Sequence, residues 1–123
     1  MNLSDLPPLG QPLEGGLFYG LTTTPDGQHC AVVLLADKPD ATLPWKKAMA
    51  WAKKLKAALP SRPVAALLFA NAKAQFEPGW HWTADELDGS YAWGQYFDYG
   101  FQGSAHKSCE GRARAVRLSH LTT

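Results

Sequence analysis

The segment WHWTADELDGSYAWGQYFDYGF, residues 80–101, holds eight of the chain's fourteen aromatic side chains within twenty-two positions. Tyr91, Tyr96, Tyr99 and Phe101 lie there among small and polar residues. An aromatic body with a polar tip in such company suits recognition. Asp88, Asp98 and His106 add charge and hydrogen-bonding groups to the same stretch. Trp80, Trp82, Trp93 and Phe97 are expected beneath them, because a small sheet with little regular structure needs large side chains to fill it. A ligand surface is therefore expected from residues 85–108, with tryptophans below and tyrosines above.

Other chemistries find weaker support. Glu77-Pro78 followed by Asp85, Glu86 and Asp88 could be the start of a calcium site, which needs six to eight oxygens, but acids in a turn are more commonly solvated. Cys109 has His106 three residues before it, a pairing that can activate a thiol, with no orienting third group in view. Cys30 lies inside the apolar run HCAVVLL, where a thiol is buried and inert. His29, His81 and His120 show no metal-ligand spacing. The chain has no phosphate-binding glycine loop, nucleophile elbow or His-Glu-x-x-His. No cofactor, no metal and no catalytic residue is expected, so the chain reads as a binding protein and not an enzyme.

Two basic sets remain. Lys46, Lys47, Lys53 and Lys54 share one side of a helix, either as a solvated face or as a dock for an acidic partner. Nucleic acid is not expected, because Trp51 alone lies between the two lysine pairs, too little basic-aromatic interleaving for a nucleic-acid pattern. Arg112, Arg114 and Arg117 form no linear basic cluster.

The elements that position these groups can be read in order. Residues 1–13 are Pro-rich and polar and form an extended arm, and residues 14–123 form a single domain. Leu17–Thr23 and His29–Leu35 flank a Pro-Asp-Gly turn and make a β-hairpin. Pro44 opens a helix with Thr42 as its cap, Trp45, Ala48, Ala52, Leu55 and Leu59 as its apolar stripe, and Pro60 as its end. Ser61 caps a second helix that holds Pro63 in its first turn and is expected between the first helix and a sheet. WHW, YAWGQYF and GRARAVRLS are short strands, joined by ADELDGS and DYGFQGSAHKSCE. In the middle one Tyr91, Trp93 and Gln95 share a face, and Ala92, Gly94 and Tyr96 share the other. Two strands, two helices and a run of strands give an α+β fold of short antiparallel strands.

Composition closes off several classes. A formal charge of +1 provides no general attraction to nucleic acid or membrane. The charge is uneven, however: seven Lys or Arg and no acid occur over 41–76, against six acids and one Lys over 77–110. Such a dipole can orient a partner. No run approaches the ~18 apolar residues that span a bilayer, and no secretory leader is recognisable. Two cysteines are too few for a disulfide scaffold, so the chain is expected in the cytoplasm when made.

Taken in order, EGGLFYG with PDGQ, PWKKAMAWAKKL, LPSR with ALLFANAKAQF, WHWTADE, YAW, FDYG and RARAVRL resemble an uncharacterised domain family of phages and bacteria. That family shows a Trp-x-x-Ala helix, a Leu-Pro-Thr-Arg turn, a second helix, an aromatic-Trp-Ser-Ser-x-Glu segment, and a closing Val-Arg-x-Val-Arg. The likeness runs from about Glu14 to Leu118. Here Ser61 stands for the usual Thr, Val64 for an acidic residue, and Thr83-Ala84 for Ser-Ser. The resemblance implies a C-type-lectin-like fold, shared with formylglycine-generating enzymes and hypervariable phage receptor-binding domains. In that fold the two ends pair in one sheet and the aromatic C-terminal half is the binding face. The resemblance implies a closing strand for Arg112, Arg114 and Arg117, paired with sheet carboxylates such as Asp98, with anion capture as the functional alternative. It implies a non-catalytic module of phage or prophage type that recognises a protein or glycan of a bacterial host, with the virion as one destination. Two alternatives are a small intracellular phage protein that modulates a host protein, and a thiol- or metal-dependent enzyme related to the formylglycine-generating group.

Overall fold

The computed structural model describes residues 1–122. Strands β1 (Pro12–Leu13), β2 (Gly16–Thr23) and β3 (His29–Leu34) run antiparallel. The β2–β3 hairpin closes where expected: Gly27 takes φ +88, and the Thr24 N–H donates to Gln28 O at 2.8 Å. The N-terminal arm is only partly extended. It coils into a 3-10 turn at Leu3–Asp5, adds β1 to the sheet, and bridges Asn2 to Thr122.

Strand β4 (Leu43–Pro44) leads into helix α1 (Trp45–Lys54). Thr42 does not cap it; its hydroxyl donates instead to Glu110 Oε1 at 2.8 Å, and Pro44 occupies the cap position. Nor does α1 reach Pro60. Lys56 adopts φ +55, the Lys56 N–H donates to Lys53 O and the Ala57 N–H to Ala52 O, which is a Schellman ending. Of the expected stripe, Trp45, Ala48 and Ala52 are buried on the helix, and Leu59 is buried beyond it. Helix α2 (Arg62–Ala72) starts as expected, with Ser61 Oγ accepting from the Val64 N–H at 3.4 Å.

The C-terminal half forms β5 (Trp80–Glu86), β6 (Tyr91–Tyr96), β7 (Gln102–His106), β8 (Glu110–Gly111) and β9 (Val116–His120). Strand β5 runs past WHW into the expected loop ADELDGS, and β7 lies inside the expected connection DYGFQGSAHKSCE. GRARAVRLS is split between β8 and β9, and residues 113–116 are buried in succession rather than alternately. The sheets are β1-β2-β3-β9, β5-β6-β7 and the pair β4-β8, with all strand pairs antiparallel. The chain is thus α+β, and its first and last strands share one sheet.

Helix α2 lies between the two larger sheets, against β2 on one side and β5 and β6 on the other, and not between α1 and a sheet. Its core includes Tyr19, Val32, Leu68, Phe76 and Phe97. A second cluster joins Trp45, Ala48 and Ala52 of α1 to Trp82, Ala92 and Ala115. The β5-β6-β7 sheet is therefore covered on both faces. The Ala92 face meets the α1 cluster, while on the Trp93–Gln95 face the Gln95 amide donates to Ala65 O of α2 at 2.8 Å. That alternation in β6 is the one expected.

Candidate functional site

The aromatic segment divides at the turn between β6 and β7. The Gly100 N–H donates to Tyr96 O at 2.8 Å, and the Tyr96 N–H donates to Phe101 O at 3.0 Å. Gly100 has φ +88 and faces the Phe69 ring closely enough that a Cβ would collide with it, so the turn needs glycine. Phe97 points inward and stacks on Phe76 at 3.9 Å between centroids. Tyr99 and Phe101 point outward, 75% and 58% exposed, with their rings stacked at 6.3 Å. Phe101 lies 4.8 Å from Tyr96, which lies 5.1 Å from Trp80. A ladder of rings thus leads from the half-buried Trp80 out to solvent. Asp98 sits at this end too, with Oδ1 accepting from the Tyr99 N–H at 3.1 Å.

The other expected ligand residues are elsewhere. Tyr91 pairs across strands with His106, ring centroids 5.4 Å apart. Asp88 Oδ1 accepts from the Ser90 and Tyr91 N–H groups at 2.8 and 2.9 Å, and these bonds hold its carboxyl below the usual range. Tyr91 and Tyr96 are five residues apart on one strand, about 16 Å along it and on opposite faces. The seven residues grouped from sequence therefore make two surfaces: Tyr96, Tyr99, Phe101 and Asp98 at one end, Tyr91, Asp88 and His106 at the other.

Trp82 is fully buried, and its indole N–H donates to Leu43 O at 2.8 Å. Trp93 is half-buried under the Arg62 guanidinium, 3.6 Å above its ring. Lys46, Lys47, Lys53 and Lys54 are all exposed. Cys30 is buried, which pushes its thiol pKa up, while Cys109 is exposed, and both are free. The Cys109 N–H donates to His106 O, but the His106 ring bonds Ser108 Oγ at 2.7 Å. The four acids considered for calcium have separate partners, Asp88 those already described. Asp85 Oδ2 accepts from the Arg62 N–H at 2.7 Å, Glu86 pairs with Lys107 at 2.6 Å, and Glu77 faces Lys38 at 4.0 Å. Among the described residues no group of three or more His, Cys, Asp or Glu is placed to hold a metal.

The arginines do not pair with Asp98 or any other carboxylate among the described residues. Arg117 Nε and Nη2 donate to Lys56 O and Leu55 O, at 3.2 and 2.8 Å, closing the C-terminal end of α1 where a cation is favoured. Arg114 is buried and donates to Gln75 O and Leu35 O. His81, which shows no metal-ligand spacing in the sequence, is buried edge-on against the stacked Phe76 and Phe97 rings, and desolvation lowers its pKa to about 4.

No family model matches the chain, and no curated protein matches it by sequence. No helix among the described residues is long and apolar enough to cross a membrane.

Proposed function

We propose that this chain is a non-catalytic binding module of phage or prophage type, with a C-type-lectin-like arrangement of its α+β elements. It recognises a protein or glycan of a bacterial host through the Tyr96–Tyr99–Phe101 end of the β5-β6-β7 sheet. The observation that carries this reading is the Tyr99–Phe101 pair, stacked and more than half exposed on a turn anchored by Phe97 in the core. Exposed aromatic groups on a fixed backbone lose little conformational entropy on binding, which is what an anchor residue needs.

A second reading, an intracellular module that binds an acidic host protein, draws on α1. Lys46, Lys47, Lys53 and Lys54 are exposed and without salt-bridge partners among the described residues. Affinity capture from bacterial cytosol and from cell envelope, each with and without EDTA, separates the two. Tyr99→Ala with Phe101→Ala should abolish envelope capture while the melting temperature stays within about 2 °C, since exposed substitutions cost little. Capture that persists in the double variant would refute the aromatic site. Cytosolic capture lost on changing the four lysines to Gln would establish the second reading.

A further inference from the structure

Segments 38–42, 77–81 and 112–114 surround a cavity of about 200 Å3. His81, Ala113 and Arg114 are its buried lining, and Lys38, Asp40, Glu77 and Arg112 are its exposed charged residues. Arg114 is 4% exposed and has only carbonyl partners, and its Nε has no partner among the described residues. Its guanidinium rests 5.0 Å from the centre of the Phe76 ring. A buried cation is costly unless an anion offsets it; Asp37 acts on this one electrostatically, but no carboxylate among the described residues lies within salt-bridge distance of it. Arg112, two residues earlier in the same cavity wall, is also without a salt bridge among the described residues. The lining also carries two carboxylates, Asp40 and Glu77, both exposed and screened by solvent, against the three cations Lys38, Arg112 and Arg114, which leaves a formal excess of one positive charge.

We propose that this cavity binds a small oxyanion, the phosphate or carboxylate group of a ligand, with Arg112 and Arg114 as its cationic wall. This site is separate from the exposed aromatic end. His81 supplies the selectivity. Its Nδ1 lies 3.2 Å from Gly79 O, so the neutral ring donates there and keeps an acceptor lone pair on Nε2. Nε2 has no hydrogen-bond partner among the described residues, and the ring is fixed edge-on by Phe76 at 5.3 Å and Phe97 at 4.8 Å. An acceptor beside two guanidinium groups favours an anion that carries its own O–H. Monohydrogen phosphate does, and so does a 2-hydroxy acid such as lactate; acetate does not.

The test is a titration of the intact protein with phosphate, lactate and acetate at constant ionic strength. Nitrogen-detected magnetic resonance of the arginine Nε–H groups and of the His81 ring gives the readout. Phosphate or lactate should shift Arg114 Nε–H and His81 saturably. Arg112→Gln, an exposed change that leaves the core intact, should weaken this binding about tenfold, as expected for one charge-assisted contact. Shifts that do not saturate, or that are equal in Arg112→Gln, would reflect general salt effects and overturn the site. Acetate binding as tightly as lactate would overturn the role given to His81. Phosphate saturating where lactate does not identifies the phosphate group as the ligand, and the reverse identifies the hydroxy acid.

Discussion

His81 owes its chemistry to its place in the fold. Between Trp80 and Trp82 its burial was not evident, because alternation suggests that one face of a strand is wet. Here the sheet is covered on both sides, so the tryptophans enter one cluster and the histidine packs on Phe76 and Phe97 of the other. Its pKa falls from 6.5 to about 4 because burial disfavours the charged ring. The unfolded chain therefore binds one proton more than the folded one between those values, and stability drops as pH falls through that window. The loss should reach about 3 kcal/mol at the acid end, at 1.36 kcal/mol per unit. Urea unfolding at pH 7, 5.5 and 4.5 should show this slope, and His81→Phe should flatten it; an unchanged slope would assign the proton elsewhere. Tyr96 is half-buried. It is legible as aromatic, but its contact with Trp80 makes it part support and part surface. Tyr96→Ala is expected to cost about 2 kcal/mol in the same unfolding experiment, as a partly buried ring would, whereas Tyr99→Ala should cost almost nothing.

Among the elements, those set by local signals were read correctly and those set by distant partners were not. The hairpin turn at Gly27 and the Ser61 cap depend on neighbours in sequence, so their residues announce them. The end of α1 lacked its usual signal because Lys56 holds the left-handed position where glycine is common, and its carbonyls are met by Arg117 from β9. The start of α2 has a second, hidden cap. The Asp85 carboxylate reaches across from β5 to the Arg62 N–H, adding negative charge at the positive end of the helix. Asp85→Ala should therefore lower stability by about 1–2 kcal/mol, and more than Ser61→Ala, whose bond is longer at 3.4 Å. Equal losses in chemical denaturation would mean that the local cap dominates. The closing strand shows the same limit: its alternating Arg-Ala pattern suggested one continuous strand, but Arg112 bridges to His81 while Val116 pairs with Leu34.

At the scale of the whole molecule, the α+β class followed from the order of strand and helix patterns, whereas the division of the core into two clusters did not. Hydrophobic periodicity says which face of an element is buried but not which neighbour buries it. For the candidate site, composition located the aromatic residues; the turn at Gly100 and the strand's two-residue repeat then divided them into two surfaces, which a list of aromatic positions cannot reveal. One global feature has a practical use. Residue 122 lies against the first two residues, with the Thr122 N–H donating to Met1 O at 2.7 Å and its hydroxyl donating to Asn2 Oδ1 at 2.7 Å. In a permutant of residues 1–122, a short glycine-serine linker could therefore join residue 122 to residue 1, and new termini could be opened at the solvent-exposed turn beside Gly27. Such a circular permutant should keep the native circular dichroism spectrum and unfold cooperatively, because exposed turn tips tolerate a cut. It would also carry any fused reporter at the hairpin tip instead of the joined ends, leaving the exposed aromatic end approachable from a different direction.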